Sequence, residues 1–229
     1  MELAAGPAFS RDYHSSEIWK QQITWRGATC WKCPLDLWSY QQIICATRPD
    51  TIVECGVAMG GTTLYLADVL NLLGQGCVIG IDQQIESIDP QVLHHPRITI
   101  LQGNSVAPDI LSAVATRIKG SRTMVILDSD HDTKHVLAEL RAYADFVAVG
   151  CYLVCEDGIL DRPDLPRLSG YAGPYAALEQ FLSARNDFTQ CDACVLGATF
   201  NPNGYLLRTT ASVCYRTDNA PPPVHPATE

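Results

Sequence analysis

Residues 51–160 switch repeatedly between two hydrophobic periods. Short runs without polar alternation, TIVEC (51–55), CVIGID (77–82), RITILQG (97–103), TMVILD (123–128) and VGCYLVCED (149–157), have the length of strands. An unbroken apolar strand is covered on both faces, which is the condition of a parallel sheet between helices. Segments 61–73, 106–119 and 132–146 carry apolar residues at helical spacing, and Gly74 and Gly120 stand where the first two stop. Strands alternating with helices of this length predict an α/β, doubly wound, Rossmann-like sheet.

The flanks follow other patterns. Residues 34–47 read as a helix feeding the first strand, and 174–185 as a further helix with Pro174 in its first turn. The stretch CVLGATFNPNGYLLRTT reads as two strands joined at Asn201-Pro202-Asn203-Gly204, a C-terminal antiparallel hairpin. Residues 1–50 hold all four tryptophans and little strand signal, so they are expected to form a helical, aromatic extension that covers the site or a neighbouring subunit. Residues 158–173 form a long loop beside charged strand ends, a lid position. The organisation is therefore an extension over 1–50, one sheet domain over 51–212 and a Pro-rich, disordered tail over 213–229.

Composition narrows the classes. The 229 residues are 47% hydrophobic and 18% charged, an ordinary globular balance. A net charge of −9 without a basic run argues against a nucleic-acid partner. No apolar segment approaches the roughly 18 residues of a membrane span. The start, MELAAGPAFSRDYH, lacks the pattern of a signal peptide, so a cytoplasmic location is expected. The ten cysteines then read as free thiols. Cys30 with Cys33, and Cys191 with Cys194, have zinc-site spacing, but the pairs lie far apart and lack the turn of a zinc knuckle. Cys55, Cys77, Cys151 and Cys155 read as small core residues.

Chemistry gathers where strands end. Glu54-Cys-Gly56-Val-Ala-Met-Gly60-Gly61 is a Gly-rich turn after the first strand, and Asp82 ends the second. Such a turn admits a nucleotide-like ligand, and a carboxylate in the second position is placed to accept bonds from a ribose diol. The turn is neither GxGxxG nor a phosphate loop; Glu54 before the glycines and the terminal hairpin favour S-adenosylmethionine over a dinucleotide. Asp128 ends the fourth strand and Glu156-Asp157 the fifth, and neighbouring strands would bring the three carboxylates together. A hard divalent cation such as Mg2+ would relieve their repulsion. His131, three residues after Asp128, could then act as general base. Ser129 or Asp130 is expected to cap the following helix, with His135 on the surface or in packing.

Ordered blocks extend this reading: Thr24-Trp25-Arg26-Gly27, Lys32-Cys-Pro-Leu-Asp-Leu-Trp38 with Tyr40-Gln41, the Glu54–Gly61 turn, Gly80-Ile-Asp82, Val125–His131, Tyr152-Leu-Val with Glu156-Asp157, Gly173-Pro174, and Phe200–Tyr205. Over about Thr24 to Arg208 the chain resembles the cephalosporin-hydroxylase family, methyltransferases dependent on S-adenosylmethionine and magnesium despite their name. The resemblance implies a class I methyltransferase fold, a metal held by Asp128, Glu156 and Asp157, and His131 as base. The cofactor set becomes Glu54, Gly56, Gly60, Gly61, Thr62, Asp82, Gly103, Asn104, Ser105 and Asp128. The implied acceptor is a hydroxyl of a small molecule, a sugar or a natural-product intermediate, and a homo-oligomer is expected. Two alternatives stand beside it. A nicotinamide or flavin oxidoreductase would need a dinucleotide turn, which residues 56–61 fit poorly. A methyltransferase-like partner subunit of a hydroxylase would not need the intact Asp128, His131, Glu156 and Asp157.

Overall fold

The computed structural model describes residues 6–164, 168, 170, 172–191 and 197–209. Two short helices, α1 (Gly6–Ser16) and α2 (Ile18–Gln22), precede a small antiparallel pair, β1 (Thr24–Trp25) with β2 (Ala28–Thr29), and helix α3 (Pro34–Thr47). The sheet strands are β3 (Thr51–Cys55), β4 (Cys77–Asp82), β5 (Ile98–Gln102), β6 (Thr123–Leu127), β7 (Tyr152–Cys155), β8 (Phe188–Gln190) and β9 (Tyr205–Arg208). Helices α4 (Gly61–Leu72), α5 (Pro90–Leu93), α6 (Pro108–Arg117), α7 (Thr133–Tyr143) and α8 (Pro174–Ala184) connect them.

The seven-stranded sheet runs β5-β4-β3-β6-β7-β9-β8, with parallel pairs from β5 to β7 and antiparallel pairs around β9. Strand direction and alternation explain the two-sided core. On β3 and β6, Val53, Cys55, Val125 and Leu127 pack with Val136, Leu140, Leu178 and Phe181 on one face. Ile52, Met124 and Ile126 pack with Tyr40, Ile44, Leu66 and Leu70 on the other. All five residues of β3 and of β6 are buried, as the unbroken apolar runs require. Chain order reverses between β3 and β6, and ligands of open α/β sheets bind at the carboxyl ends around such a reversal.

Two boundaries differ from the sequence expectation. The antiparallel pair at the sheet edge is present, but β9 pairs with β7 and with Phe188–Gln190, which precede the expected first strand. Asn201–Gly204 therefore does not close a tight hairpin; the Asn201 side chain instead accepts from the Asp157 amide at 3.0 Å. The cap of α7 is Asp132, whose carboxylate accepts from Lys134 N at 2.9 Å, rather than Ser129 or Asp130. Asp130 accepts from Asp132 N at 3.0 Å and shapes the turn ahead of the cap, so the cap falls later than expected. The tail 213–229, Cys194 and residues 165–167, 169 and 171 of the expected lid lie outside the described residues.

Candidate active site

A pocket of about 500 Å³ opens over the ends of β3, β4 and β6. Its wall includes Gly56, Thr62, Asp82, Gly103, Ser105, Asp128, His131 and Asp157. The backbone explains why the sequence can build it. Gly56 has φ +93°, and a Cβ there would stand 1.9 Å from the Asp128 carbonyl oxygen. Only glycine lets the β3 turn approach the end of β6 so closely. Gly61 starts α4 beneath the N-terminal segment, where a Cβ would meet the Thr29 carbonyl at 2.3 Å. That close crossing brings Trp19, Thr29 and Trp31 onto the same pocket wall. Trp31 is 45% exposed, with its ring N–H donated to the Lys20 carbonyl at 3.2 Å.

The expected cofactor residues divide. Asp82 lines the pocket, but one of its oxygens already accepts from Val57 N at 2.9 Å and Ala58 N at 2.8 Å, and the other from Gln84 N at 2.9 Å. It therefore shapes the Gly-rich turn before it contacts any ligand, although each carboxylate oxygen keeps acceptor capacity. Glu54 lies buried behind the turn, accepting from the Thr63 hydroxyl through Oε2, while Oε1 has no bonded partner. Burial pushes its carboxyl up to about 7. Gly60 and Gly61 shape the turn, and Asn104 caps its own loop by accepting from Val106 N at 3.0 Å.

His135, assigned to the surface or to packing by its spacing, instead lines the pocket. Its Nε2 lies 3.2 Å from both the Ser105 and Ser129 hydroxyls and 3.4 Å from Glu139. Glu139 is buried one turn along α7 and accepts from both serines through Oε1. A hydrogen bond to Glu139 outweighs burial and holds the imidazole above its usual range. The sequence signal was available: His135 and Glu139 share a helix face, four residues apart.

The acidic ends of β6 and β7 converge as expected. One ligand atom each from Asp128, His131 and Asp157 falls within 4.8 Å of the others. His131 Nε2 stands 3.1 Å from Asp157 and 3.6 Å from Asp128, yet is aligned to hydrogen-bond neither. Burial alone would lower this imidazole, but the two carboxylates outweigh it and raise it to about 9. Asp157 adopts a left-handed φ of 56°, a strained conformation for an aspartate, held by the Asn201 contact. Two carboxylates converging beside an unaligned imidazole form a site that a divalent cation satisfies.

Glu156, the third expected ligand, is engaged by other partners beside the cluster. Its Oε1 accepts from the Tyr40 hydroxyl at 2.6 Å and its Oε2 from the Lys32 ammonium at 2.5 Å. Lys32 also contacts Asp128 Oδ2, so one lysine bridges the ends of two neighbouring strands. Burial would depress this ammonium, but Asp128 and Glu156 hold it above the ordinary lysine range. Sequence reasoning gave Lys32 no role and counted Tyr40 only among the aromatics of the N-terminal extension. The signal lay in the charge balance, since three converging carboxylates demand a cation and a lysine flanked by Trp31 and Cys33 is poorly suited to solvent. Cys30 and Cys33 are buried thiols, raised by burial to about 11 and about 12.

The family profile described as Rhamnosyl O-methyltransferase/CmcI matches residues 17–209. The Rhamnosyl O-methyltransferase of Mycobacterium leprae is 34% identical over 204 residues, covering 86% of this chain and 87% of that one. Its counterpart in Mycobacterium tuberculosis (strain H37Rv) is 31% identical over 213 residues, covering 90% and 85%. Among solved structures, CmcI with Mg and SAM superposes with a TM-score of 0.64 at 22% identity, covering 82% of this chain and 77% of that one. The MycE methyltransferase from the mycinamycin pathway, in complex with Mg, SAH and mycinamycin VI, gives 0.53 at 17% identity, covering 81% of this chain and 50% of that one. These two likenesses establish the class I methyltransferase fold.

Proposed function

The chain belongs to the Rhamnosyl O-methyltransferase/CmcI family, and from that premise we propose that it methylates a sugar hydroxyl, using S-adenosylmethionine and Mg2+ at the pocket over β3, β4 and β6. The observation that carries the reading is His131, whose buried Nε2 stands within ion-pair reach of Asp128 and Asp157 and is aligned to hydrogen-bond neither. The relatives named Rhamnosyl O-methyltransferase support a deoxyhexose acceptor. Among the described residues no helix is long and apolar enough to cross a membrane.

The residues divide the work. Gly56 and the Val57–Met59 turn admit the methyl donor, and Asp82 holds that turn in shape. Gly103, Ser105 and Thr62 complete the wall on the donor side. Asp128 and Asp157 would hold the divalent ion, with His131 beside them as a free imidazole; the ion would supply positive charge to lower the acceptor's pKa and to offset the pull of the carboxylates on a His131 proton. Transfer is a direct displacement: the acceptor oxygen forms a bond to the methyl carbon, the carbon–sulfur bond breaks, and its electron pair stays on sulfur. The hydroxyl proton passes to His131. Trp19 and Trp31 form the outer wall and exclude water from the reacting oxygen.

Mass spectrometry of a simple rhamnoside incubated with enzyme, S-adenosylmethionine and Mg2+ tests the reading. One added methyl group is expected, lost with EDTA and restored by Mg2+ or Mn2+. His131→Ala should reduce single-turnover rate by about 10²–10⁴-fold with the donor still bound. Methylation that survives metal removal would eliminate the ion, and a near-native variant would eliminate His131 as base. Methylation of non-sugar hydroxyls alone would displace the acceptor class.

A further inference from the structure

Lys32 sits on the wrong side of the charge balance for a simple metal site. Its side chain is buried, with 3% of the residue exposed, and its ammonium touches Asp128 Oδ2 and Glu156 Oε2. The other oxygen of Asp128, Oδ1, faces His131 Nε2 at 3.6 Å. Asp128 is thus shared between a fixed cation on one side and the Asp128–His131–Asp157 group on the other. Tyr40 donates to the remaining oxygen of Glu156 and turns that carboxylate toward Lys32. A mobile ion entering beside Asp128 meets the field of an ammonium already attached to the same carboxylate, where screening by water is weak.

We propose that Lys32 sets the affinity of this site for a divalent cation, acting as a tethered counter-charge that steadies Asp128 and Glu156 in the metal-free protein and weakens capture of the ion. The inference rests on the reading that Asp128 and Asp157, beside His131, hold such an ion, and it assigns Lys32 two effects of opposite sign. Removing the ammonium leaves Asp128, Glu156 and Asp157 mutually repelling, so the metal-free fold loses stability. The same change strips a cation from the ligand Asp128 and frees Glu156 to turn toward the group, so the ion binds more tightly. A lysine with a merely structural role produces the first effect without the second.

The test is a Mn2+ titration of the full chain followed by electron paramagnetic resonance of the free ion, with melting temperatures in EDTA and in saturating Mn2+. Lys32→Gln should bind Mn2+ about tenfold or more tightly than wild type. It should also melt lower than wild type in EDTA and recover most of that loss with Mn2+. Lys32→Arg, which keeps the charge, should stay within a few-fold of wild-type affinity. Equal or weaker binding by Lys32→Gln overturns the proposal, as does a Gln variant that fails to fold even with saturating Mn2+. Wild-type protein that binds no Mn2+, or binds it equally after Asp157→Ala, overturns the metal reading itself. Binding that Asp157→Ala removes but Lys32→Gln does not tighten overturns only the role of Lys32.

Discussion

Asp36 is an acid taken out of water and Asp157 a half-buried acid on the pocket wall, and their neighbours treat them in opposite ways. Asp36, on α3, accepts from the Thr199 hydroxyl, from Phe200 N at 2.9 Å and from the Tyr205 hydroxyl at 2.7 Å. Every donor is neutral and aligned, and together they tie the segment before β9 to α3. Asp157 has an imidazole at 3.1 Å that is not aligned to it, a left-handed backbone, and two further carboxylates nearby. Burial and the charge of Asp128 push its carboxyl up, against the pull of His131. The first arrangement is complete without a ligand, and the second is not. Incomplete electrostatics at the end of a strand, rather than the mere presence of buried acids, separates the site from the scaffold.

The strongest way to break this contrast is to remove the acid from the incomplete cluster. Asp157→Ala should cost about a thousandfold or more in methyl transfer, the scale of a lost metal ligand. It should not lower the melting temperature in EDTA, because one of the repelling carboxylates is gone. Activity assays and thermal melts on one preparation check both limbs. A variant that unfolds would place Asp157 in the scaffold with Asp36.

The reciprocal change should reverse the pattern. Asp36→Ala strands the Thr199 and Tyr205 hydroxyls and the Phe200 amide in a dry interior, at about 2–4 kcal/mol of folding free energy. Urea unfolding measures that loss. The protein that remains folded should keep its affinity for S-adenosylmethionine. A large loss of affinity without loss of stability would show that the Asp36 network belongs to the site.

The contrast also marks what the sequence could disclose. Strands β3 and β4 and helix α3 carry their boundaries in their apolar runs and in Pro34, and the structure places them at the expected residues. The convergence of Asp128 and Asp157 was legible because strand ends concentrate chemistry at one edge of the sheet. Lys32 and Tyr40 were not, because their partners Asp128 and Glu156 lie about a hundred residues away and nothing local marks the pairing. Asp36 gave no local sign of burial either; its donors come from the region around β9. The edge strand Phe188–Gln190 was missed because three residues with one buried position carry too little period to read.

Asp82 tests a site residue with a scaffold task. Asp82→Ala should weaken S-adenosylmethionine binding by about 1.5–3 kcal/mol, through lost charge-assisted bonds. The amides of Val57 and Ala58 lose their acceptor in the same variant, so melting temperature should fall as well. Calorimetry beside thermal melts separates the two. Weaker binding with unchanged stability would return Asp82 to a pure ligand role.

Glu54 combines both treatments in one side chain, and it supplies the smallest and most specific effect. Its Oε2 has a neutral donor in Thr63, like the oxygens of Asp36, while its Oε1 has no aligned partner, like the imidazole of His131. Burial raises its folded carboxyl to about 7 from the ordinary value of 4.5, with Thr63 and Lys32 pulling the other way. Between those values the folded chain holds a proton that the unfolded chain has released, so stability falls as pH rises. The contribution is fully present below about pH 4.5 and lost above about pH 7, a change of roughly 1–3 kcal/mol. Glu54→Gln still accepts from Thr63 but never ionises. Its stability relative to wild type should therefore rise by that amount between pH 5 and pH 8, whatever constant offset the new amide introduces. Urea unfolding of both proteins at the two pH values measures the difference of differences. Parallel pH profiles would mean that the carboxylate finds a compensating donor in solution, and Glu54 would then rank with Asp36 as completed scaffold.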